Sequence, residues 1–127
     1  MQKGITSTTW LFIAAGVFFA GLIGIAVYKK AAPSKYDAFA QCLTEKGAKM
    51  YGAWWCPHCE NQKKLLGSSF RYINYIECSP GGTRAMSAEC QTAGIKGYPT
   101  WEFPDGMRAS GELSIAELAE GSQCSPE

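Results

Sequence analysis

Lys49-Met50-Tyr51-Gly52-Ala53-Trp54-Trp55-Cys56-Pro57-His58-Cys59 is the stretch from which the rest of the sequence can be read. Apart from Lys49, Ala48 to Trp55 is apolar and reads as a buried strand running into a loop. Pro57 then opens a helix that continues through Leu66 and stops at Gly67. Proline suits a first helical turn because the N–H it lacks would have no intrahelical partner there. Two cysteines therefore sit on the first turn of a helix, directly after a strand. Thiols exchange disulfides when one is an accessible, low-pKa thiolate and a second lies close enough to resolve the mixed disulfide. A helix start favours negative charge through its unpaired N–H groups and its dipole. Cys56 is thus expected as the exposed nucleophile and Cys59, one turn below, as the resolving thiol. Pro57 and His58 tune the pair. A charged imidazole near Cys56 stabilises the thiolate, and stabilising the reduced form makes the disulfide more oxidising.

Upstream, Ser34 is placed to cap a helix, with Asp37 three residues on. Tyr36, Phe39, Ala40 and Leu43 recur at helical spacing, and Gly47 ends the pattern. Downstream, Phe70 to Glu77 is β-branched and aromatic and predicts a strand, Pro80-Gly81-Gly82 a turn, and Thr83 to Ala93 a helix closed by Gly94. Thr100 to Phe103 alternates as a strand, Asp105-Gly106 signals a hairpin, and Met107 to Ser110 is the return strand. Ser114 and Glu117 form a capping box for a last helix through Ala119. The order α-β-α-β-α-β-β-α implies an α/β fold, a mixed central sheet flanked by helices, as in thioredoxin-like folds.

Before this domain, Trp10 to Tyr28 reads WLFIAAGVFFAGLIGIAVY, without charge or proline. As a helix it would span roughly 28 Å, about one hydrocarbon core. Trp10 and Tyr28 sit at its ends, where amphipathic rings favour the interface, and Lys29 and Lys30 close it. A cleavable signal peptide has a shorter apolar core and a more basic start. The expected division is a membrane anchor over residues 1–30, a linker over 31–34 and a thioredoxin-like domain over 35–127. Counting Lys3 and the amino terminus against Lys29, Lys30 and Lys35 weakly favours a cytoplasmic domain. The cysteines argue for the other side. Six cysteines among 127 residues suit an oxidising compartment. The expected location is therefore a single-pass membrane protein with its domain on the extracytoplasmic (periplasmic or lumenal) side. A formal net charge of +1 gives no sign of a nucleic-acid partner.

Half of a zinc site is the bland alternative for Cys56 and Cys59, but a zinc ribbon wants a second close cysteine pair, and His58 is the single histidine. No metal and no cofactor are expected. Tyr98-Pro99-Thr100 precedes the hairpin. A trans bond is the default for an X–Pro pair. Beside a thiol pair on a helix start, a cis Pro99 facing the cysteines is expected instead, leaving Tyr98 and neighbouring backbone to bind an extended substrate. Either Trp54, Trp55, Tyr98 and Trp101 form an apolar surface around this site or, on the bland view, Trp101 and one of the tandem pair belong to the core; at least one of Trp54 and Trp55 is expected to be exposed. Lys63 and Lys64 read as a solvated helix face.

Trp54-Trp55-Cys56-Pro57-His58-Cys59 together with Gly97-Tyr98-Pro99-Thr100 resembles the thioredoxin superfamily. Phe39-Ala40-Gln41-Cys42-Leu43, Lys49 to Cys59, Gln62-Lys63-Lys64, Tyr75-Ile76-Glu77-Cys78 and Ile95 to Trp101 look more specifically like the thioredoxin-like domain attached to bacterial and plant homologues of vitamin K epoxide reductase. The similarity covers about residues 35 to 124. It implies that the domain takes electrons from substrate cysteines and passes them to a quinone-linked membrane enzyme. It also implies that Pro99 is cis and that Cys78 and Cys90 form a second disulfide, needed for activity in some members. A structural staple is favoured over an electron relay for that bridge. Cys42 and Cys124 either pair, tying the tail to the first helix, or stay free thiols. Two departures matter. A single anchor stands where the reductase domain would be, so either the partner is a separate protein or the electrons flow elsewhere. Met50 occupies the place where ordinary thioredoxins carry a buried acid, so Cys59 must exchange its proton with another group or with water.

The expected function is thus a membrane-anchored thiol–disulfide oxidoreductase promoting disulfide formation in exported proteins with a vitamin K epoxide reductase-like or other quinone-linked partner. Two readings compete: a reductase or isomerase fed by a transmembrane electron donor, as in cytochrome maturation, and a non-enzymatic membrane-tethered binding module.

Overall fold

The computed structural model describes residues 7–31 and 33–127. Residues 1–6, with the Lys3 of the orientation argument, and Ala32 of the linker lie outside the described residues. The chain divides into two compact units, one ending at Pro33 and the other running Ser34–Glu127.

Helix α1 (Ser7–Ala31) fills the first unit with 25 residues. Its segment Thr8–Lys29 has a mean hydropathy of 2.4 and buries none of itself within the chain. Trp10, Leu11, Phe12 and Ile13, which together go round one turn of the helix, are all exposed. By length and composition α1 is sufficient to cross a membrane.

The second unit is built on a four-stranded mixed sheet of order β2-β1-β3-β4. Strand β1 (Lys49–Gly52) runs parallel to β2 (Tyr75–Glu77) and antiparallel to β3 (Thr100–Glu102), which pairs with β4 (Arg108–Ser110) as the hairpin. Met50 is in register with Tyr75 on one side and Trp101 on the other. Alternation along the strands puts these three on one face and Tyr51 and Ile76 on the other. The first face carries the main core, where Phe39 and Leu43 of α2 (Asp37–Glu45), Leu66 of α3 (Pro57–Leu66) and Leu118 of α5 (Ile115–Ser122) pack against Met50 and Trp101. The second face carries a smaller cluster of Tyr51, Cys78, Ile95 and Cys90, the last on α4 (Ala88–Thr92). The element order and the mixed α/β architecture are those expected from the sequence.

Several boundaries differ, for identifiable reasons. The strand expected over Phe70 to Glu77 is confined to β2, and Gly67–Tyr72 is a 3-10 helix. Thr44 Oγ1 donates to the Tyr72 carbonyl (2.6 Å) and accepts from the Asn74 N–H (3.0 Å), so this segment spends its backbone on α2 rather than on a ladder. The helix expected over Thr83 to Ala93 shrinks to α4, because Ser87 caps it by accepting the Cys90 N–H. Thr83 is held elsewhere, its carbonyl taking the Trp54 indole N–H at 3.1 Å. Ser34 does not cap α2 through its side chain; Tyr36 is the N-cap. The acid half of the expected box exists, with the Asp37 carboxylate accepting the Ser34 N–H at 3.0 Å. That bond, the Ser69 hydroxyl and Arg71 hold the Asp37 carboxyl below its ordinary value. The last helix runs past Ala119 to Ser122, with the Ser114–Glu117 capping box formed in both directions.

Two disulfides brace the unit. Cys42 of α2 is joined to Cys124 after α5, with Cα atoms 6.0 Å apart across 82 positions. Cys78 at the end of β2 is joined to Cys90 of α4, with Cα atoms 5.7 Å apart. The long loop makes the first bridge the larger constraint on the unfolded chain. Replacing both Cys42 and Cys124 by serine is expected to cost about 2–4 kcal/mol of unfolding free energy, read by urea denaturation of the full chain in detergent. Gly52 is a second test. A Cβ there would lie 2.7 Å from the Tyr75 ring and 3.1 Å from the Cys59 sulfur. Gly52→Ala is expected to destabilise the protein by about 1–3 kcal/mol through overpacking, by the same measurement.

Candidate functional site

The site forms where β1 ends and α3 begins. Ala53 closes a tight turn by accepting the Cys56 N–H at 3.0 Å. Cys56 is then the N-cap of α3, in extended backbone conformation, and Pro57 fills the first helical position. The sulfur of Cys56 does what a capping oxygen does elsewhere: it accepts the Cys59 N–H, at 3.3 Å. Cys56 and Cys59 are both free thiols.

Their surroundings differ. Cys59 is fully buried, and burial together with the Cys56 sulfur pushes its thiol up to about 12. Cys56 is only 5% exposed, less open than the sequence reading of an exposed nucleophile. Its cover is the loop opposite. The Tyr98–Pro99 peptide bond is cis, and the Tyr98 carbonyl lies 3.5 Å from the Cys56 sulfur, accepting its S–H. Pro99 itself is buried, and its carbonyl accepts the Gly111 N–H at 2.8 Å.

His58 is near Cys56 in sequence but turns outward. Its side chain is 69% exposed, and Nδ1 lies 2.6 Å from Glu112 Oε1. Glu112 also accepts from Asn61, and its carboxyl is held below the ordinary value by the His58 and Asn61 bonds. Any positive charge on His58 is therefore shared with a carboxylate rather than aimed at Cys56 alone.

The two tryptophans separate, but in the turn after β1 rather than by alternation along a strand. Trp54 is 48% exposed. Trp55 is half-buried, stands edge-on to Tyr98 with ring centroids 5.9 Å apart, and donates its indole N–H to Ser79. The Arg84 guanidinium lies over its ring at 5.3 Å. Trp101 is fully buried in the main core. Lys64 is exposed, as expected of a solvated face, but Lys63 is not: its ammonium lies 4.5 Å from the Tyr75 ring centroid and pairs with Glu60 at 3.0 Å.

Sequence reading did not single out Glu77. One of its oxygens accepts the N–H groups of Trp54 (3.2 Å) and Ser79 (2.8 Å); the other accepts the Tyr75 hydroxyl (2.9 Å). It thus ties the loop before Cys56 to the end of β2. An acid beside Cys78 at a strand end was the available signal. Glu112 carried none, since its partner His58 is 54 positions away.

No protein-family model matches the chain. The chain is similar to the thiol-disulfide oxidoreductase LTO1 of Arabidopsis thaliana, with 47% identity over 88 residues, covering 65% of this chain. It spans 23% of that relative's length, so the likeness is to one segment of a longer protein.

Proposed function

We propose that this protein is a thiol–disulfide oxidoreductase whose reacting pair is Cys56 and Cys59, anchored in a membrane by α1. The observation that carries the reading is the pair of free thiols at the start of α3, one capping the helix and one buried beneath it, opposite the Tyr98 carbonyl that precedes the cis Pro99. Similarity to a thiol-disulfide oxidoreductase supports it. In the oxidising direction, a substrate thiolate attacks Cys56 of the Cys56–Cys59 disulfide and displaces Cys59. A second substrate thiol then attacks the mixed disulfide and leaves Cys56 and Cys59 reduced. Two electrons and two protons pass from the substrate to the pair, and a quinone-linked membrane enzyme, of the kind related to vitamin K epoxide reductase, removes them again.

The two further disulfides support an extracytoplasmic location for the domain, since reducing compartments would open them. They also leave Cys56 and Cys59 as the thiols available for exchange among the six cysteines. The full burial of Cys59, beneath a Cys56 that keeps some exposure, favours Cys56 as the attacked sulfur and the site of the mixed disulfide.

The full chain in detergent, equilibrated against glutathione buffers, is expected to show a Cys56–Cys59 potential of about −120 to −180 mV. A value near about −270 mV would overturn the oxidising direction and leave a reductase. The Cys59→Ser protein, expressed in cells, is expected to accumulate mixed disulfides with exported proteins through Cys56. Failure to trap any, with Cys56 intact, would sink the exchange reading altogether.

A further inference from the structure

Under the function proposed above, on which this inference rests, Cys59 must lose a proton each time it resolves a mixed disulfide and regain one each time it is displaced. Its thiol, pushed up to about 12, does not ionise unaided near neutral pH. Strand β1 offers no acid for the task, because Met50 is apolar and fully buried. The adjacent strand does. Gly52 is paired with Glu77, two positions along β2 from Tyr75, so Tyr75 and Glu77 share the face of the sheet on which Cys59 lies. The Tyr75 hydroxyl and the Cys59 sulfur lie 3.0 Å and 3.1 Å from one point, the place a Cβ on Gly52 would occupy. The two groups thus crowd the same side of Gly52, and glycine's lack of a side chain leaves nothing of that residue between them. Tyr75 donates to Glu77 Oε2 at 2.9 Å, while Glu77 Oε1 is fixed by two backbone N–H groups. Glu77 is itself half-buried and so keeps contact with solvent.

We propose that the Tyr75 hydroxyl, backed by the Glu77 carboxylate, carries the proton to and from Cys59. In the resolving step the Cys59 S–H proton passes to Tyr75 Oη while Tyr75 gives its own to Glu77 Oε2. The Cys59 sulfur bonds to Cys56, and the substrate leaves as a thiolate with the electron pair of the broken S–S bond. When a substrate thiolate instead opens the Cys56–Cys59 disulfide, the electron pair goes to Cys59 and the proton returns from Glu77 through Tyr75. The other groups acting on this pair are Cys56, Glu60 and Lys63 from α3 and Tyr98 from the proline loop. Lys63 assists, because its charge beside the Tyr75 ring favours the Cys59 thiolate.

The test uses the full chain in detergent, with Cys56 and Cys59 reduced and the other two disulfides intact, mixed with an aromatic disulfide that releases a coloured thiol. Attack by Cys56 releases the first equivalent, and attack by Cys59 on the resulting mixed disulfide releases the second. In Tyr75→Phe the second phase is expected to slow about 10- to 100-fold at neutral pH, with the gap closing as pH rises towards the ionisation of Cys59 itself. The first phase should be unchanged. Glu77→Gln should slow the second phase in the same pH-dependent way. A normal second phase in Tyr75→Phe, or a slowing by the same factor at every pH, would overturn the proposal, the latter because packing alone would explain it. Loss of the first phase in the unmodified protein would instead overturn the exchange reading on which the proposal rests.

Discussion

A single hydrogen bond, from the Cys59 N–H to the Cys56 sulfur, fixes what the surrounding structure has to do. For that bond to exist, Cys56 must be the residue at which extended chain turns into helix. Strand β1 therefore ends at Gly52, Ala53 closes the turn, and Pro57 supplies a helical first position without a donor of its own. Everything that packs on α3 then serves to keep its first turn at the end of the sheet. Gln62 is an example. Buried on the inner side of α3, it exchanges hydrogen bonds in both directions with the backbone of Leu113, at 3.0 and 2.7 Å, and so pins the helix to the segment before α5.

The site is bounded on its far side by loops rather than by regular elements, and these are held by side chains. Glu77, Trp54 and Ser79 stitch the end of β2 to the turn before Cys56, while the Cys78–Cys90 bridge holds α4 under the same strand. Among buried polar side-chain atoms of the described residues, the Trp101 indole nitrogen is without a hydrogen-bond partner. The other buried polar groups around the site are used as ties.

Much of this was legible from local sequence. The Ser114–Glu117 box, Pro57 at a helix start, Gly67 at its end and the Asp105-Gly106 hairpin are signals carried within a few residues, and each sits where those signals put it. The errors have a common origin. Phe70 and Tyr72 have strand chemistry, but Thr44, far away in sequence, takes the backbone of Tyr72 and Asn74 into a different arrangement. Thr83 to Met86 have no helix breaker, yet the chain there answers to Trp54 and to Ser87. The outward turn of His58 towards Glu112, the covering of Cys56 and the approach of Tyr75 to Cys59 likewise depend on pairs that only the folded chain brings together. Spacing predicts which residues share a turn; it does not predict which loop lies over them.

The Cys42–Cys124 bridge also sets an order of events. A chain that emerges from its amino end presents Cys78 and Cys90 together, 12 positions apart, long before Cys124 follows Cys42 by 82. The inner bridge can close while most of the carboxyl-terminal helix is still unmade. The outer one has to wait until α5 has been delivered, and Cys42 must remain unpaired through that interval, alongside the reactive Cys56. During its own maturation the chain therefore passes through a stage in which three of its thiols are open at once, and the sulfur that Cys42 needs arrives last.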